Sequence, residues 1–154
     1  MIHYFEQERL KPTVEAFLNS GCDFNEVPMA LKKQMRVYVH DNIPHIWLSD
    51  GYHFVEAHFT KEAINDFRKN YSNVKFNNLR EKMLAISRWR LVAKYEDSRS
   101  SLTSYMNVSV HLVVENFRPL VYEKPAVRQI NDTKCLFRDS DIQSIIRAKR
   151  QETI

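Results

Sequence analysis

Side chains able to carry out chemistry are sparse in this chain, and their spacing argues against catalysis. Its six histidines form no HExxH pair, and His53 and His58 are separated by an odd interval. On a strand that interval places two side chains on opposite faces, where they cannot easily share a metal. Cys22 and Cys135 fit no zinc spacing, and with Gly21 and Gly51 as the only glycines there is no Gly-rich phosphate loop. No serine or cysteine stands in a recognisable nucleophile frame. The chain therefore reads as a non-enzyme that needs no cofactor and no metal. What remains is recognition. Trp47, Tyr52, Phe54 and His58 cluster around the Asp50-Gly51 pair, and Arg88, Trp89 and Arg90 are consecutive. Aromatic rings beside cations are the parts of a single-strand nucleic-acid platform, so Trp47, Tyr52, Phe54 and Trp89 are base-stacking candidates. The apolar stripes of the terminal helices need a cover, however, which favours reading the same rings as packing surface beneath one of those helices.

The length of 154 residues suits one domain spanning 1–154, with enough chain to bury a real core. The hydrophobic fraction of 44% and charged fraction of 27% are ordinary for a soluble globular protein. A net charge of +4 and a pI near 9.1 tolerate acidic partners without requiring them. No apolar run approaches the ~20 residues needed to cross a bilayer, so no membrane association is expected. The opening MIHYFEQERLKP lacks the basic start and apolar stretch of a secretory signal. Two cysteines without such a signal read as reduced thiols inside the cell.

The elements follow from periodicity. Val14, Phe17 and Leu18, with Pro12 early and Gly21 after, predict a helix over about 11–20. QMRVYVH (34–40) alternates and is β-branched, a strand. IWLSDGYHFVEAHF (46–59) predicts a hairpin closed by a two-residue turn at Asp50-Gly51, pairing Ser49 with Tyr52 and Trp47 with Phe54. Ile46, Leu48, His53, Val55, Ala57 and Phe59 then share the core face, and His45, Trp47, Tyr52, Phe54, Glu56 and His58 the other. Thr60 caps a helix with Ala63, Ile64 and Phe67 on its stripe. After the connection NYSNVKFNNLREK (70–82) come long strands at 83–95, bent near Ser87, and 106–117, with a polar loop EDSRSSLTS between them. Residues 118–138 read as extended chain. A capping box at Ser140 and Gln143 opens a helix over about 140–150, with Ile142, Ile145 and Ile146 at helical spacing. Five strands with a helix after the third predict an all-β class, a five-stranded OB-fold barrel over about 34–120 with flanking helices.

Several segments together resemble the OB domains of the telomerase-recruiting shelterin subunit (the adrenocortical dysplasia protein of vertebrates and its fission-yeast counterpart) and of the budding-yeast telomerase subunit Est-three. These are LKPTVEAFL (10–18), LSDGYHFVEAHFTKEAI (48–64), ENFRPL (115–120) and DSDIQ (139–143). The resemblance implies a non-enzymatic adaptor at telomeres in the nucleus, which binds the telomerase catalytic subunit. It implies that the single-strand end-binding protein is bound through regions outside this chain, with weak or no direct DNA binding by the domain alone. It further implies that these residues form the N-terminal part of a longer protein. The family's telomerase-facing patch falls in the connection after the post-hairpin helix, which makes Lys75, Arg80, Glu81 and Lys82 the contact candidates. The vertebrate patch is acidic, whereas this one is largely basic and requires an acidic partner surface.

Overall fold

The computed structural model describes residues 8–41, 45–97, 106–120 and 133–152. Of the polar loop expected over 96–104, residues 96 and 97 continue a strand and the rest lie outside the described residues, as does 121–132 of the expected extended stretch. Helix α1 (Leu10–Asn19) buries Leu10, Val14, Phe17 and Leu18 on one stripe and ends at Ser20, with Gly21 at a φ of 77° just beyond. No side chain near its start caps it. The cap comes from Asp50 instead, whose Oδ2 accepts hydrogen bonds from the Arg9 and Leu10 amides at 2.8 Å each. Its Oδ1 accepts from the Tyr52 and His53 amides at 3.0 Å each. Asp50 is only 1% exposed. One buried carboxylate thus fixes both the helix start and the hairpin loop, and four amides replace the water it has lost.

That carboxylate also corrects the expected turn. Strands β2 (Ile46–Ser49) and β3 (His53–Phe59) pair Ser49 with Phe54, Leu48 with Val55, Trp47 with Glu56 and Ile46 with Ala57. The turn is wider than two residues: the Asp50 amide donates to the His53 carbonyl at 3.2 Å, and Gly51 takes a φ of 92°. Satisfying two loop amides from the Asp50 side chain favours this wider closure. The register is displaced by two residues, an even number, so every side chain keeps its predicted face.

The other strands are β1 (Met35–Asp41), β4 (Met83–Asp97), β5 (Met106–Pro119) and the short β6 (Lys134–Cys135). β1 pairs antiparallel with β2 and β4, β4 with β5, and β3 runs parallel to β5, so the pairings of the five longer strands form a ring. This is a β-rich, OB-like fold with added helices, and β6, absent from the five-strand expectation, adds in parallel to the start of β3. The bend expected near Ser87 is a paired irregularity. Ser87 is skipped on β4, Glu115 is skipped on β5, and the register then resumes. Each skip reverses the inward parity: Leu84 and Ile86 are buried before it, Trp89 and Leu91 after it, while Val114 gives way to Phe117.

Helix α2 (Lys61–Asn70) is capped as expected, with the Thr60 hydroxyl accepting from the Ala63 amide at 3.1 Å. Phe67 enters the core and meets Phe117 at 5.2 Å between ring centroids, while Phe59 meets Phe76 at 5.2 Å. The last helix, α3 (Ser140–Glu152), is capped one residue earlier than predicted. Asp139 Oδ1 accepts from the Asp141 and Ile142 amides at 2.9 and 3.3 Å, and Gln143 donates to the Phe137 carbonyl instead of closing a box with Ser140. The Asp139 carboxylate, fixed by Lys11 at 3.2 Å, is already held where the cap must sit. Ile142 and Ile146 join the same buried cluster as the α1 stripe and the inner strand faces. No described helix is long and apolar enough to cross a membrane.

Replacing Asp50 by alanine leaves four amide donors without their acceptor. Asp50→Ala should lower stability by at least ~3 kcal/mol in urea unfolding. Asp66→Ala, on the exposed side of α2, should change it by less than ~0.5 kcal/mol.

Candidate nucleic-acid and partner interface

The terminal helices leave the outer face of the hairpin uncovered by any described helix, because their apolar stripes turn to the interior. Trp47 and Phe54 stand on that face half-buried, with Tyr52 exposed at its tip. Phe54 is held from two sides. The His40 ring stacks on it at 4.6 Å, with only 8° between the planes, and Trp47 meets it edge-on at 5.6 Å. Such ring pairs contribute roughly 0.5–1.5 kcal/mol beyond their buried area, which fixes the rings without enclosing them. Three of the four stacking candidates therefore come together on one surface.

Trp89, the fourth, does not. It is 6% exposed, packs against Phe24 at 5.6 Å, and donates its indole N–H to the Lys33 carbonyl at 3.2 Å. The skip at Ser87 turns it inward, into the buried cluster. Arg88 and Arg90 point outward in consequence, and both approach Glu115, at 3.7 and 2.9 Å.

Histidines border the rings, with His45 and His58 on this face as expected and His111 an addition. Glu56 lies 3.3 Å from His45 and 3.5 Å from His58, and His58 meets the His111 ring at 4.5 Å. Burial, then the neighbouring His58, push His111 below its ordinary value of 6.5. Only the cross-strand register places His111 here, two residues before Val113, the partner of His58. His53 lies on the opposite face, as expected, with Nδ1 at 3.2 Å from Glu8 and Nε2 at 3.4 Å from Asp139. Among the described residues no group of three or more such side chains could hold a metal ion.

The connection is a second surface. Lys75, Arg80, Glu81 and Lys82 are all exposed, but their backbone is firmly held. Leu79 is buried, the Glu81 amide donates to the Val39 carbonyl at 2.9 Å, and the Val39 amide donates back to the Lys82 carbonyl at 2.9 Å. Glu81 adopts a φ of 66°, unusual for a residue with a Cβ, to make that exchange. Beside α2, the connection borders a cleft of about 330 Å³ lined by Arg68, Ser72, Val74, Lys75, Phe76 and Asn77.

The model of the family described as "Telomere-binding protein beta subunit (TEBP beta)" matches residues 19–154. The chain belongs to that family. It is 36% identical over 151 residues to the telomere-binding protein subunit beta of Stylonychia mytilus and 33% identical over 151 residues to that of Sterkiella nova. Each alignment covers 97% of this chain but 38% of the relative, so the chain spans a little over a third of the beta subunits it matches. Among solved structures, the Est3 telomerase subunit of the yeast Hansenula polymorpha superposes with a TM-score of 0.56 at 12% identity, over 88% of this chain and 84% of that one. At that identity the likeness establishes the fold. Of the resemblance to the shelterin subunit and Est-three, the telomere-protein character and the OB-like fold are shown, and the family is that of the beta subunits.

Because folding holds His111 neutral, the unfolded chain binds a proton that the folded chain refuses. Stability should fall as pH drops below about 6.5, with the loss complete once pH is below the depressed folded value. In pH-dependent thermal unfolding, His111→Asn should show a shallower decline between pH 7 and 5 than the parent chain.

Proposed function

We propose that this chain is the OB-like domain of a nuclear telomere end-complex subunit that lays single-stranded nucleic acid across the outer β2–β3 face. The supporting observation is the cluster of Trp47, Phe54 and Tyr52, held but left open in a member of a telomere-binding family. Strands two and three are also where OB-folds commonly take up oligonucleotides. The electrostatics favour weak binding by the domain alone. Among the described residues Arg88 and Arg90 share Glu115, and His45 and His58 flank Glu56, so much of the positive charge near this face is already opposed. A second subunit that supplies cations on the other side of the strand fits this surface. The longer relatives accommodate further segments for assembly with such a subunit, and no catalytic role is part of the proposal.

A second reading, telomerase recruitment as in the shelterin subunit, is favoured by the exposed and firmly anchored connection carrying Lys75, Arg80, Glu81 and Lys82. It occupies a different surface from the rings, so one domain has room for both contacts.

Fluorescence anisotropy with a labelled oligothymidylate at low salt tests the first reading. Weak binding should appear, weaken as salt rises, and fall at least ~5-fold in Trp47→Ala, since one stacked base contributes roughly 1–3 kcal/mol. No signal at low salt, or unchanged binding by Trp47→Ala, would reject it.

A further inference from the structure

Charge is unevenly distributed along this chain. Residues 68–82 contain Arg68, Lys69, Lys75, Arg80 and Lys82 against Glu81 alone, a net of +4 from five cations and one anion. The whole chain also has a net charge of +4, so the remaining residues balance to zero. The end of α2 and the connection thus carry a net charge as large as that of the whole protein, and two of their cations, Arg68 and Lys75, line one cleft. α2 ends there with its carbonyls, the negative pole of the helix dipole, and Arg68 and Lys69 in the last turn reverse that sign.

The cleft is more than a charged surface. At about 330 Å³ it lies near the lower end of ligand-pocket sizes, room for a large side chain and its neighbours. Val74 and Phe76 give it an apolar wall, Ser72 and Asn77 a polar one, and Arg68 and Lys75 border it. Phe76 is fixed by Phe59, Phe67 and Phe117 at 5.2, 6.1 and 6.3 Å between ring centroids. Asn77 is already engaged within the fold, and Arg68 and Lys75 are the cations that line the cleft.

We infer that this cleft binds an acidic peptide segment of a partner protein, with one large apolar side chain seated against Val74 and Phe76 and flanking carboxylates on Arg68 and Lys75. The chemistry favours a peptide over a polynucleotide. A base needs a bare ring face to stack on, and Phe76 is surrounded by three other rings. A wall of valine and phenylalanine bordered by cations complements an aliphatic or aromatic residue within an Asp/Glu run. The inference deepens the telomerase reading by giving the chemistry of the partner segment, and it rests on that reading for the partner's identity.

The test titrates the 15N-labelled 154-residue chain with a short synthetic peptide of Asp and Glu bearing one central Leu. Backbone signals of Val74 to Asn77 should move, with Leu→Gly in the peptide weakening binding ~10-fold or more. Lys75→Glu should weaken it similarly while leaving the melting temperature unchanged. Binding that ignores the Leu, or stronger perturbation of the same signals by oligothymidylate of equal charge, overturns the inference. Capture of the telomerase catalytic subunit by the parent chain and by Lys75→Glu separates the two claims. Capture lost in the variant without peptide binding overturns the peptide site alone. Peptide binding with capture unaffected supports the site and overturns only the assignment of its partner to telomerase.

Discussion

A carboxylate taken out of water must find donors to replace its hydration, or the fold that buries it is not stable. Asp50 finds four, two from the start of α1 and two from its own loop. Much else depends on that arrangement. With its first turn fixed against the hairpin, α1 can direct Leu10, Val14, Phe17 and Leu18 only into the interior. The Arg9 guanidinium then reaches the carbonyls of Leu31, Lys33 and Gln34, which sets the approach to β1. Lys11 brings Asp139, and with it the cap of α3, to the same end of the molecule. Both terminal helices are thereby committed to the interior, and no described helix lies over the opposite face of the hairpin.

Local features were legible in the sequence wherever the determinant is local. Thr60 caps the helix it precedes, the alternation of residues 46–59 sorts the correct side chains onto each face, and Ser87 marks a bend. The features that escaped depend on distant partners. Nothing near Asp50 in sequence announces that its carboxylate serves amides 40 and 41 positions away, so the two-residue turn was the natural expectation. Trp89 shows how a small irregularity decides a functional assignment. Strict alternation from Leu84 and Ile86 would put it outside between two arginines, and one skipped residue puts it inside on the Lys33 carbonyl. His111 joined the candidate face only through the parallel pairing of β3 with β5, which no sequence periodicity encodes.

Two surfaces of the structure differ in their physics, and the proposed contacts follow that difference. The hairpin face offers held aromatic rings with nearly balanced charge, suited to bases and dependent on company for phosphate neutralisation. The end of α2 and the connection together carry a net charge of +4 beside an apolar-walled cleft, which complements an acidic protein segment. Membership in the telomere-binding beta-subunit family fits a domain that meets nucleic acid and protein on separate faces.

The two tryptophans provide the most direct test, because they lie on opposite sides of the sheet and each gives its own indole N–H resonance. Titration of the labelled chain with a single-stranded oligonucleotide should shift the Trp47 indole and leave that of Trp89, bonded to the Lys33 carbonyl, in place. A shift confined to Trp89, or equal shifts of both, would contradict the assignment of the outer hairpin face as the nucleic-acid surface.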